Sequence, residues 1–419
     1  MVWYVYSNNQ QVHNLPTLKG AAISSRFSLR SRLRGLMPLF VLAHFCHHLV
    51  TALPAPLLPY IRDAFVLDYT RAGFIISAFG VIYGVCQLPA GWLADRLGPR
   101  ILLTLGVVGV GAAGLLVGMS PNYSILIAGL VLMGMLGGGY HPASTTMISA
   151  VIEPKARGQA LGFHLVGGSF SYFLAPLVAA GIAVIWGWRG PFIAMAIPSI
   201  CIGIMLHIVL GKRMIRQKRV AQDAGIFAEA SPAPGYVHRL IAVIILGSLT
   251  MAVAMSVVSF LPLFLVDTFG TSKETAAASM SLVYAMALWA GPLAGYLSGR
   301  LGHLAMIVFT SAVTGIVIYL LTMVSYGIGT VVVLVLIGTL TAFSTVVAQT
   351  YIVERTPAKN RSTALGFYFF GSMEGVGVLT PLLGYSIDHL GFHTSFTIGS
   401  AAIIVILVIC SLILWLSRK

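Results

Sequence analysis

The basic residues of this chain stand at the ends of its apolar runs or between them. Twelve mostly apolar stretches follow one another, at roughly 36–60, 70–93, 100–119, 123–151, 159–185, 189–211, 238–267, 274–298, 302–322, 327–354, 361–386 and 392–416. Each is long enough to cross a hydrocarbon core about 30 Å thick as a helix rising about 1.5 Å per residue. Lipid offers no partner for a free backbone N–H or C=O, so a spanning chain must be helical or a closed barrel. The alternating pattern of barrel strands is missing. Hydrophobic residues make up 58% of the 419 and charged residues only 9%, where a soluble domain carries about a quarter charged. An all-α membrane protein with twelve transmembrane helices is predicted.

Placing the N-terminus inside leaves 21 of the 25 Lys and Arg on the inner side. Only Arg62, Arg71, Arg189 and Lys273 are then outside. Basic loops stay cytoplasmic, so both termini are expected in the cytoplasm and the chain in the cell (inner) membrane. The net charge of +14 is accounted for by topology and gives no reason to expect a nucleic-acid partner. Four regions follow: a cytoplasmic arm over 1–34, a first six-helix bundle over 35–211, a cytoplasmic linker over 212–237, and a second bundle over 238–419. The arm is basic and acid-free, which also suits a transit peptide; a loose arm is the simpler reading. The four cysteines lie inside apolar runs without metal-site spacing, as small buried residues do.

Between the second and third runs stands Gly91-Trp92-Leu93-Ala94-Asp95-Arg96-Leu97-Gly98-Pro99-Arg100. A loop this short joins an antiparallel pair, and Gly98 can take the positive φ that a tight loop requires. Much of the first half recurs in the second at an offset of 204. Ala90 to Gly98 aligns with Ala294 to Gly302, and Arg157-Gly158-Gln159-Ala160-Leu161-Gly162-Phe163 aligns with Arg361-Ser362-Thr363-Ala364-Leu365-Gly366-Phe367. The second copy carries Gly299 where the first has Asp95. The G-x-x-x-D-R-x-G-x-R spacing resembles the loop signature of the major facilitator superfamily. That resemblance implies two six-helix bundles that rock about a midplane site, with Gly91, Asp95, Arg96, Gly98 and Arg100 as a conformational latch. Ala175-Pro176 and its small neighbours resemble the glycine–proline motif of superfamily drug–proton antiporters. Gly137-Gly138-Gly139-Tyr140-His141-Pro142 resembles the fosmidomycin-resistance-like branch of efflux carriers.

Ionisable residues deep in a bilayer are costly and mark function by default. One carboxylate, Glu374, is central to a span; Phe170 is its repeat partner. Glu374, His48 and His141 are the expected proton-coupling groups, with the carboxyl protonated or paired to His48 or His141. His44, His48 and Thr51 share a helical face by spacing. His44, His47, Gln87, Tyr140, Tyr284, Gln349 and Tyr368 are the expected cavity residues. His47 and His164 suit equally a neutral core role with one hydrogen-bond partner. No cofactor is expected, and no metal, since no carboxylate or cysteine set stands at ligand spacing on one helix. Nothing resembles a phosphate loop or a catalytic triad, so no enzyme is expected. The expected activity is proton-coupled efflux of a small, partly apolar compound by a monomer. Uptake of a metabolite or organic anion is the alternative. A transport-dead sensor or assembly factor on the same fold is the reading from another class.

Overall fold

The computed structural model describes residues 36–151, 157–217, 236–356 and 358–416, and they are helical nearly throughout. In order, the first half runs α1 (Met37–Thr51), α2 (Leu58–Phe65), α3 (Tyr69–Leu97), α4 (Pro99–Thr104), a π-helical turn (Leu105–Gly109), α5 (Val110–Gly118), α6 (Tyr123–Gly137), α7 (Tyr140–Val151), α8 (Arg157–Trp186) and α9 (Arg189–Gln217). The second half runs α10 (Tyr236–Phe269), α11 (Lys273–Leu301), α12 (His303–Leu321), α13 (Ile328–Arg355) and α14 (Ala358–Leu416). By length and composition nine of these described stretches can cross a membrane, or ten if the bent pair within α11 is one span. The predicted twelve differ from this count because α1 is short and because α14 holds two arms that meet at Gly391, at φ 75° and ψ 170°. The N-terminal arm and residues 218–235 of the predicted linker lie outside the described residues, as do the side chains of Gly91 and Asp95.

Two spans predicted as single helices are broken, for reasons visible in their residues. Span one stops at Thr51 and resumes at Leu58 across Pro54 and Pro56. Each proline removes a donor and its ring clashes with the turn before it. Span four breaks at Gly138-Gly139, and Pro142 sits just inside the renewed helix, where its missing N–H costs nothing. Tyr140 and His141 therefore open α7.

The 204-residue repeat persists in the backbone. Gly98 (φ 86°, ψ 139°) and Gly302 (φ 89°, ψ 133°) cap equivalent helices alike. Gly187 and Gly391, at φ 62° and 75°, are another such pair. Asp68 and Ser272 each cap the N-terminus of the following helix, accepting from the N–H of Arg71 and Thr275 respectively. Packing repeats too. A Cβ on Gly134 would stand 2.7 Å from the Phe79 carbonyl, and one on Gly338 would strike Val283, the residue equivalent to Phe79. Gly111 lies against Ile200 and Ala196, and Gly315 against Ile404 and Ser400. Small residues let helix backbones approach where lipid gives no hydrophobic drive to association.

The two halves meet along α3 with α14 and along α8 with α11. At the end remote from the Asp95 turn, charged groups tie them together. Arg62 forms a two-point pair with Asp267, one arm at 2.9 Å, and Tyr69 donates its hydroxyl to Asp267 at 2.7 Å. Lys273 reaches Asp63 at 2.5 Å, and Tyr60 donates to Glu274. Asp388 of α14 accepts from the N–H groups of Tyr69 and Thr70, each at 2.9 Å, so the second half satisfies the open N-terminus of α3. Burial works against the Asp63 carboxylate, but Lys273 and Arg62 outweigh it and hold its pKa below the ordinary 3.8.

Candidate functional site

The repeat gives both halves the same frame, but their polar contents differ. At the positions of His44, His48, His141 and His164 the second half carries Ser248, Ala252, Thr345 and Tyr368. The first half therefore holds a histidine nest. His44 and His48 lie one turn apart on α1 with ring centroids 4.8 Å apart. His141 at the start of α7 lies 5.2 Å from His44 and 5.3 Å from His48. His164 of α8 stacks on His44 at 4.1 Å. Gly168 makes this possible, since a Cβ there would stand 2.6 Å from the His44 ring.

Hydrogen bonds assign the tautomers. His44 Nδ1 faces the His164 carbonyl at 2.7 Å, so Nδ1 carries the proton and Nε2 keeps a lone pair. That Nε2 is buried and has no hydrogen-bond partner. His164 repeats the pattern, with Nδ1 on the Phe40 carbonyl at 3.2 Å and Nε2 unpartnered. His48 Nδ1 lies 3.2 Å from the Thr51 hydroxyl, three residues along the same helix face.

His47, expected in the cavity, has both ring nitrogens bonded to neighbours. Its Nδ1 donates to the Gly106 carbonyl at 2.6 Å, and its Nε2 accepts from the Tyr83 hydroxyl at 3.1 Å. Gly106 belongs to the π-helical turn, where the widened ladder accommodates an inserted partner. Tyr140, expected in the cavity, is fully buried and stacks on His47 at 4.3 Å. Gly106 lets it in, since a Cβ there would stand 2.7 Å from the Tyr140 side chain. Tyr368 is likewise buried, against Gly247 and Ala348 in the core of the second half. Both rings fill space between helices because the face they occupy points inward to their own bundle.

Glu374 does not join the histidines. Its carboxylate lies on α14 against Gly84 of α3, bonded to the backbone at Val85, and Oε1 has no hydrogen-bond partner. The expected pairing with His48 or His141 is replaced by a contact across the seam between halves. Along the same seam, Gly377 of α14 lies against Val81 of α3. Gln87 of α3 and Gln349 of α13 are half-buried. Arg100 of the expected latch donates to the His207 carbonyl on α9 at 2.9 Å, and Gly98 has the predicted positive φ.

One residue escaped sequence reasoning. Tyr172 of α8 lies 4.8 Å from the His48 ring and 5.3 Å from Tyr284 of α11, completing an aromatic path from the nest to the second half. Nearby, Ser281 donates to the Phe173 carbonyl at 2.7 Å across the same seam. The available signal was the two-turn spacing from His164 to Tyr172 on one helix.

Comparison with known proteins locates this architecture. The model of the Major Facilitator Superfamily matches residues 40–291 and 243–419. A phosphoglycerate transporter protein of Salmonella typhimurium is 24% identical over 97% of this chain and 93% of its own length. A probable 4-methylmuconolactone transporter of Cupriavidus pinatubonensis is 25% identical over 78% of this chain and 79% of its own. A probable L-galactonate transporter of Escherichia coli is 29% identical, but that match covers only 36% of this chain and 34% of the relative. Among solved structures, a bacterial homologue of the human lysosomal transporter Spinster, inward-facing and occupied, superimposes with a TM-score of 0.73 at 17% identity, covering 93% of this chain and 97% of its own.

Proposed function

The chain belongs to the major facilitator superfamily, and on that premise we propose that it imports a small organic anion by alternating access, coupled to protons through Glu374. Members of this family are transporters and not enzymes, and the apolar helices make this one a multi-pass membrane protein. One observation carries the reading. The halves are bonded at the Arg62–Asp267 end, and the histidine–tyrosine path runs from the first half to the second across their seam. A path that crosses the seam is where two rocking halves would hold a midplane site. If the basic loops are cytoplasmic, the bonded end is outer. The histidine–tyrosine path carries tyrosine hydroxyl donors and includes no carboxylate among its described members, which suits an anion. Three relatives are named for phosphoglycerate, L-galactonate and sulfoacetate, each an acid anion.

Export of an apolar compound is the weaker reading. It rests on the Ala175-Pro176 stretch, where Ala175 and Ala179 are buried and ordinary helix packing accounts for them. Reconstituted vesicles with an imposed inward proton gradient decide between the two. Labelled sugar acids, sulfonates and phosphoglycerate are expected to accumulate until a protonophore is added. Extrusion of cationic dyes without acid uptake would overturn the proposal.

A further inference from the structure

We propose that His44, His48 and His141 form a binding site for one divalent transition-metal ion of the zinc and cobalt class. Each contributes one ring nitrogen, and the three nitrogens lie within 4.8 Å of one another. Two come from adjacent turns of α1 and the third from the break that starts α7, so the fold assembles what no single helix displays. On a tetrahedral ion with bonds of about 2.0–2.1 Å, two ligand nitrogens stand about 3.4 Å apart. Contraction by up to about 1.4 Å closes the set, by imidazole rotation about χ2 with small shifts of the helices.

The hydrogen bonds prepare the nitrogens for this. A metal-ligating histidine commonly donates its other N–H to a backbone carbonyl, which fixes the tautomer and turns a lone pair to the ion. His44 does so through Nδ1 to the His164 carbonyl, and its Nε2 is left buried without a partner. A buried polar atom without a partner is uncommon and calls for an explanation. A metal ion supplies one, whereas an added proton at Nε2 would bury an unpaired donor. His48 Nδ1 is held by the Thr51 hydroxyl at 3.2 Å, a group that can accept its proton when the other nitrogen binds the ion. Three imidazoles with no thiolate or carboxylate favour Zn, Co, Ni or Cu over Mg or Ca. Three ligands also leave one position for water or an anionic group. The inference does not depend on what the carrier transports.

Co2+ is the probe, added to the full chain without an affinity tag, in detergent and cleared of metal by dialysis. One equivalent per chain is expected to bind with visible d–d bands of tetrahedral strength. His48→Asn and His141→Asn are expected to abolish those bands, while His393→Asn, at an exposed position of α14, keeps them. His141→Cys restores a ligand and is expected to add a thiolate-to-cobalt charge-transfer band in the near ultraviolet. That gain of signal distinguishes a lost ligand from a lost fold. Absence of tetrahedral bands in the unmodified protein, bands that survive His141→Asn, or a His141→Cys protein without the new transition would each overturn the site.

Discussion

His47 commits both ring nitrogens to neighbours, whereas His141 is half-buried and holds neither nitrogen in such a clamp. His47→Ala would leave the Gly106 carbonyl and the Tyr83 hydroxyl unpaired beside a void, at a cost of about 2–4 kcal/mol. His141→Asn is expected to cost under about 1 kcal/mol; thermal unfolding in detergent compares the two. Local spacing correctly put His44, His48 and Thr51 on one face. It could not separate His47 from them, because its partners lie 36 and 59 residues away. Glu374 was legible as a lone mid-span acid, but its neighbour across the seam was not, since that contact joins the two halves. Glu374→Gln is expected to keep substrate binding and lose the pH dependence of transport. An unchanged pH profile in that variant would move the coupling group elsewhere. Val66 shows strain directly. It is a β-branched residue at φ 52°, where its repeat partner is Gly270 at φ 64°, so Val66→Gly is expected to stabilise the protein by about 1 kcal/mol.

Among the elements, α6 and α3 approach closely because Gly134, Gly137 and Gly138 have no side chain to separate them. Gly134→Ala would place a methyl 2.7 Å from the Phe79 carbonyl. Backbone must move to admit it, at a cost of about 1–3 kcal/mol, and the yield of folded protein from membranes reports the loss. The helices themselves were readable from apolar length, and their turns from Gly98 and its repeat partner Gly302. The breaks in spans one and four were signalled by Pro54, Pro56, Gly138-Gly139 and Pro142. The continuous apolar runs around them masked these signals, because a broken span and an unbroken one have the same hydropathy. Asp388 was an unremarked acid near the end of a span. Its place at the N-terminus of α3 depends on residues 318 and 319 positions apart, which no local pattern encodes.

For the whole molecule, the proposed alternating access makes the bonded end the contact that must part. Asp267→Asn breaks the two-point pair with Arg62 and weakens the bond from Tyr69. Loss of charge-assisted bonds worth about 2 kcal/mol shifts the ratio of conformers roughly thirtyfold. Spin labels across the 62–267 seam are expected to show the separated population, and an unchanged distance distribution would exclude the lock. The Asp63–Lys273 pair behaves differently with pH. The carboxyl of Asp63 is held below its ordinary pKa, so its stabilisation is present above that ordinary value and is lost as pH falls through the lowered one. Between about pH 5 and 8 the pair is therefore expected to be constant, and seam distances measured at both limits should coincide. Cysteines placed at 10, 225 and 418 are expected to resist an impermeant thiol reagent in intact cells, and labelling at 225 would invert the orientation. Finally, the two repeats share their capping glycines, and only the first carries the histidine nest. A chimera of two second halves would inherit the capping glycines and the close helix crossings twice over. It would carry Glu374 twice and the histidine nest not at all, which separates what the frame needs from what the nest contributes.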